Sequence, residues 1–186
     1  MPYTPEYRED PKLGLTVAML RLSGTVRLQA WGVSMLPSLW PGDLLTIQSA
    51  TQDEIVPGDI VLVMRDNRLC VHRLVERRRD QDCFSWTTRG DAMPHNDPPV
   101  AASELLGRVS GVRRANRSFV PSRRLSPLQS ALACMLCRSN LFRNLTLRIH
   151  AASVQADPTQ AGKFLRGAFR AVRGIPGISP SQSSHP

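Results

Sequence analysis

The sequence predicts a mostly β, barrel-like body of the kind built from short antiparallel strands, with a short helical C-terminal extension. Three observations point there: apolar residues alternate with polar ones over short runs, matched Pro-Gly-Asp turns each open a β-branched run, and turn residues recur at regular spacing. At 186 residues the chain is long enough for one domain with a real core and a tail besides.

Residues 1–24 read as an N-terminal arm and a short helix from Leu13 to Leu22, with Leu15, Met19 and Leu22 on one side. Val26, Leu28 and Ala30 then alternate with Arg27 and Gln29, the period of a strand with one buried face, and this strand runs straight into Trp31, Gly32 and Ser34. Pro41-Gly42-Asp43 and Pro57-Gly58-Asp59 launch the runs Leu44 to Ile47 and Ile60 to Val63. Arg65-Asp66-Asn67-Arg68 supplies a hairpin turn, and the chain returns as a strand from Leu69 to Val75. In that strand Leu69, Val71 and Arg73 alternate with Cys70, His72 and Leu74, so His72 projects from a strand and not from a loop.

Cys83 to Thr88 forms a further strand leading into Gly90-Asp91, and Leu105 to Val112 the last one, where Gly107 and Gly111 mark bulges or close approaches. The β domain is thus expected over residues 25–112. A basic helical extension follows over 113–178, with helical segments near 126–150 and 161–173, and a disordered Ser/Pro-rich tail over 179–186. In the second segment Phe164, Leu165, Ala168, Phe169 and Val172 share a face flanked by Lys163, Arg166, Arg170 and Arg173.

With 24 basic residues against 15 acidic ones the formal charge is +9, which favours anionic partners. An anionic membrane surface met through the basic C-terminal region is the expected second partner beside a polypeptide substrate. Nucleic acid is not expected, because no helix-turn-helix spacing is present. The arginine-rich stretch after residue 107 otherwise reads as a solvated face. The uncharged stretches Leu28 to Gly42 and Leu125 to Cys137 fall short of the ~18–20 apolar residues a membrane span needs. Glu6, Glu9 and Asp10 precede the only short apolar run at the N-terminus, unlike a signal peptide, so a cytoplasmic or peripherally membrane-associated chain is expected.

Cys70 and Cys83 sit in strands and read as buried thiols, while Cys134-x-x-Cys137 lacks the second pair or histidine that a metal site needs. Neither a metal nor a cofactor is expected.

The chemistry sits in Gly32-Val33-Ser34-Met35-Leu36-Pro37-Ser38-Leu39-Trp40-Pro41-Gly42-Asp43, then Val71-His72-Arg73, then Thr88-Arg89-Gly90-Asp91 with Asp97 behind it. A serine hydroxyl is a poor nucleophile and needs a neighbour to take its proton as it attacks a carbonyl. The only lysines are Lys12 and Lys163, so none lies in the β body, and His72 is the residue placed to serve. His95, in the polar loop Pro94-His95-Asn96-Asp97, is the weaker candidate for the base.

Over residues 31 to 112, about half the chain, these pieces in this order resemble the serine-peptidase superfamily of type I signal peptidases and LexA-like self-cleaving proteins. Ser34, Met35, Pro37, Gly42 and Asp43 match its nucleophile box. Val71-His72-Arg73 is similar to the strand bearing the base in the endoplasmic-reticulum and archaeal type, where the base is histidine. The resemblance implies Ser34 as nucleophile, His72 as base and Asp97, a few residues past the Gly90-Asp91 box, as the carboxylate that orients the imidazole, with Asp91 as the alternative. Many relatives carry a second serine where this chain has Gly32, which leaves oxyanion stabilisation to main-chain N–H groups. The transmembrane helix that precedes the box in signal peptidases is expected to have no counterpart here. No Ala-Gly self-cleavage site lies upstream of Ser34. Met35 and Leu36 are candidates for lining a substrate groove or for packing inside. The function implied is a serine endopeptidase acting on a peptide or protein precursor; the alternative is a non-catalytic peptide- or membrane-surface-binding module that keeps the fold.

Overall fold

Glycine at positive φ is what lets the two Pro-Gly-Asp turns close. Gly42 sits at φ 96° and Gly58 at φ 101°, where a side chain would be strained. Each following carboxylate then caps its own turn: the Trp40 N–H donates to Asp43 Oδ2 at 2.8 Å, and the Val56 N–H to Asp59 Oδ2 at 3.1 Å. The structure, a computed structural model, describes residues 11–80 and 83–139, together with 142, 144 and 146–148. The expected helix at 161–173 and the tail at 179–186 lie outside the described residues.

In chain order the elements are α1 (Pro11–Ser23), β1 (Thr25–Gln29), β2 (Leu44–Gln48), β3 (Ile60–Arg65), β4 (Arg68–Asp80), β5 (Cys83–Arg89), β6 (Val100–Ala101), β7 (Leu105–Arg114), β8 (Arg117–Phe119) and α2 (Pro127–Arg138). The strands form one curled antiparallel sheet in the order β1-β2-β7-β3-β4-β5-β6, with β8 paired to β7. Asp66 and Asn67, both at positive φ, make the two-residue turn that joins β3 to β4 and sets Val61 opposite His72. The expected bulges fall at the two glycines. Register slips between Thr46 and Ile47 where β2 meets Gly111, and between Leu62 and Val63 where β3 meets Gly107.

The run Ile60 to Met64 is apolar throughout because β3 is buried on both faces. Ile60 and Leu62 face a core shared with Leu45, Ile47, Val109 and Val112, and with Met35 and Leu39 from the loop before β2. Val61 and Val63 face the other way, against Leu74, Trp86, Val100 and Ile55. Helix α1 lays Leu13 and Val17 on Met64, and Leu20 on the first core. The stripe of Leu15, Met19 and Leu22 is therefore the outward one.

The sheet runs on past Val112, because β7 extends to Arg114 and turns back as β8. Two arginines of the basic stretch are more than a solvated face, because each pairs with a buried carboxylate while staying partly in solvent. Arg114 binds Asp43 through Nε and Nη2 at 2.8 and 2.7 Å, and Arg123 Nε reaches Asp59 Oδ1 at 2.6 Å. Both carboxylates are buried, so each needs a cation at hand. Arg113, Arg117 and Arg124 remain exposed.

Candidate active site

His72 projects from β4 at the level where β1 has just ended and the chain turns through Ser34. The serine Oγ lies 2.9 Å from His72 Nε2. On the other side of the ring, Nδ1 lies 2.6 Å from Asp97 Oδ2. A carboxylate accepts only, so Nδ1 carries the hydrogen and Nε2 presents a lone pair to the serine hydroxyl. All three groups are partly buried, with 14% of the His72 side chain and 16% of the Asp97 side chain exposed.

Asp97 is fixed from several directions. Its backbone N–H donates to the Thr88 carbonyl at 2.8 Å, and the fully buried Thr88 hydroxyl donates to Asp97 Oδ2 at 2.7 Å. Arg65 stands 3.4 Å from Oδ1 and donates to the neighbouring Pro98 carbonyl. Thr88 and Arg65 were not singled out by sequence reasoning. Thr88 does open the Thr88-Arg89-Gly90-Asp91 stretch, whereas nothing near Arg65 in the chain announces its partner.

Gly90 and Ala92 seat the serine. The Ala92 N–H donates to the Ser34 carbonyl at 2.8 Å. A Cβ on Gly90 would lie 2.7 Å from that carbonyl oxygen and 2.9 Å from Ser34 Cβ, so only glycine permits the approach. Gly90→Ala is expected to push Ser34 away from the imidazole. A displacement on the order of 1 Å costs ~10²-fold in rate, read as slowed labelling by an active-site-directed fluorophosphonate.

Asp91, the alternative orienting carboxylate, does not touch the imidazole. It forms a two-point pair with Arg73, Nε to Oδ1 at 2.7 Å and Nη2 to Oδ2 at 2.8 Å, and accepts a short hydrogen bond from Ser38 Oγ. Arg73 Nη1 also donates to the carbonyls of Gly58 and Ser122 at 2.8 Å. The pair is a largely buried clasp between the loop that carries Ser38, β4 and the segment before α2.

A groove of about 480 Å³ opens beside Ser34 and His72, between Leu28 to Gly32 on one side and Leu69 to His72 on the other. Its floor is apolar, with Met35, Leu39, Leu45 and Leu62. Met35 therefore lines the groove, while Leu36 is fully buried, is not part of the lining and packs inside. Cys70 lines the groove as a half-buried free thiol. Burial pushes its pKa up, the Asp97 carboxylate adding to this and Arg65 opposing it.

His95 is exposed. In α2, Cys134 is exposed and Cys137 half-buried, both as free thiols. Among the described residues no group of three His, Cys, Asp or Glu side chains is placed to hold a metal ion, and no helix is long and apolar enough to cross a membrane.

Hydroxyl, imidazole and carboxylate stand in a hydrogen-bonded line on a β sheet, an arrangement that matches what a serine peptidase requires. The family comparison gives the same class: the model of the Peptidase S24-like family matches residues 5–107, more than half of the chain, and the chain belongs to that family. No curated protein matches the chain.

Proposed function

We propose that this protein is a serine endopeptidase of the signal-peptidase-like, histidine-base kind, which cleaves an extended polypeptide precursor through an acyl-enzyme. The observation that carries the reading is the hydrogen-bonded line from Ser34 Oγ to His72 Nε2 and from Nδ1 to Asp97. Ser34 attacks the scissile carbonyl while His72 Nε2 takes the hydroxyl proton. Asp97 steadies the imidazolium, and His72 then gives the proton to the departing amine. In the second half His72 takes a proton from water as the water attacks the ester, and returns it to Ser34 Oγ as the acyl–oxygen bond breaks. The oxyanion donors in this scheme are main-chain N–H groups around Ser34, each such donor being worth ~3 kcal/mol in typical cases.

The groove fits an extended chain. Gly24, Ala30 and the residues between them that share their parity turn their backbone groups toward β2, as the Ser49 N–H bond to the Gly24 carbonyl and the Ala30 N–H bond to the Asp43 carbonyl mark. By the alternation of antiparallel pairing, Arg27 and Gln29 turn theirs to the outer edge of the sheet. A substrate strand added there would bring its carbonyl to Ser34.

A fluorophosphonate probe tests the chemistry. Labelling of the wild type, lost in Ser34→Ala, is the expected result. No labelling of the wild type under any condition, with peptide still bound in the groove, would leave a binding module instead of an enzyme.

A further inference from the structure

Helix α1 is apolar on two sides. Leu13, Val17 and Leu20 are turned inward, while Leu15, Met19 and Leu22 face out with 64%, 46% and 86% of their surface exposed. At 100° per residue, Leu15, Met19 and Leu22 fall within a narrow stripe, with Ala18 at its border and also exposed. A lone exposed leucine needs no explanation, but a continuous stripe along a helix does.

Charge selects what covers it. From Pro11 to Gly42 the chain holds no acidic residue, and its only charged residues are Lys12, Arg21 and Arg27. Arg21, in the last turn of α1, and Arg27, on β1, are exposed. Trp31, half-exposed at the groove rim, is of the residue type that settles at a membrane–water interface. An apolar stripe beside exposed cations with no carboxylate among them is complementary to an anionic bilayer surface. It is poorly matched to a second copy of a chain whose formal charge is +9, since like charges would meet.

We propose that α1 lies on an anionic membrane through Leu15, Ala18, Met19 and Leu22, with Arg21 at the headgroups. This surface is distinct from the basic C-terminal segment and independent of the chemistry at Ser34. Because α1 passes through Gly24 directly into the five residues of β1, a strand of ~17 Å, the serine would stand close above the bilayer. Precursors held at that surface would reach the groove from the α1 end of β1.

The test is co-sedimentation of the full chain with vesicles of mixed phosphatidylcholine and phosphatidylglycerol, set against pure phosphatidylcholine. The wild type is expected to bind the anionic vesicles. The triple variant Leu15→Gln, Met19→Gln, Leu22→Gln, which alters only exposed positions, is expected to bind about tenfold less. Phe164→Gln with Phe169→Gln separates the C-terminal segment: if that variant loses binding and the triple variant does not, the proposal fails. It also fails if the wild type ignores anionic vesicles, or if it sediments as a dimer that the triple variant dissolves. Ser34→Ala should bind vesicles as the wild type does, and the triple variant should keep fluorophosphonate labelling, so a failure here is told apart from a failure of the peptidase reading.

Discussion

Replacing His72 by alanine is expected to lower kcat on a peptide substrate about 10²- to 10⁴-fold, the share a positioned general base supplies. Ser34 keeps its hydroxyl in this variant, and β1 and the groove floor keep their shape, so KM should change little. Among the described residues no other base is at hand: the sequence has no lysine between Lys12 and Lys163, and His95 is exposed on its loop. His72 is partly exposed at the groove, so alanine opens no closed cavity and the melting temperature should stay near that of the wild type. Steady-state kinetics on a fluorogenic peptide and the rate of fluorophosphonate labelling should fall together. His95→Ala is the control, expected to change neither. An unchanged labelling rate in folded His72→Ala protein would remove the imidazole from the reaction.

Much of this arrangement is legible in the chain because its determinants are local. Gly42 and Gly58 announce positive φ, Asp66-Asn67 announces a two-residue hairpin, and the alternation from Leu69 to Leu74 fixes which way His72 points. What the sequence hides is set by partners far along the chain. Helix α1 is apolar on both sides, so a spacing of three and four picks out Leu15, Met19 and Leu22 as readily as Leu13, Val17 and Leu20, and only the sheet decides between them.

Strand β4 continues to Asp80 through Arg77, Arg78 and Arg79, a run that reads as the end of a strand. It stays extended because β5 pairs with it and because the Arg77 guanidinium rests over Phe84 at 4.3 Å and Trp86 at 5.1 Å. Likewise Arg114 looks like solvated charge until Asp43, buried in the turn before β2, is seen beside it. The hydroxyl of Thr88 gains its meaning only when the loop after β5 brings Asp97 back beneath it.

Asp97→Asn and Asp91→Asn, equal in chemistry, should fail in different ways. The asparagine at 97 can offer its NH₂ to His72 Nδ1, which then accepts, and the ring hydrogen moves to Nε2, where it faces Ser34. The serine loses its base, and kcat is expected to fall about 10²- to 10⁴-fold. Thr88 and the backbone bond to its carbonyl still hold residue 97 in place, so stability should hardly move.

At 91 the loss falls on Arg73. Asp91 is 3% exposed and Arg73 12%, and in the variant the guanidinium loses its counter-charge and one of two side-chain acceptors, keeping only neutral oxygens: the asparagine amide oxygen, backbone carbonyls and Ser38 Oγ. Breaking one side of such a pair costs about 3–5 kcal/mol, to be read from urea unfolding, while the molecules that remain folded should keep most of their kcat. Kinetics normalised to the folded fraction therefore separate the two carboxylates. If folded Asp91→Asn protein is inactive and Asp97→Asn protein works at the wild-type rate, the carboxylate that serves the imidazole is Asp91, and the line drawn from Ser34 through His72 to Asp97 is not the catalytic one.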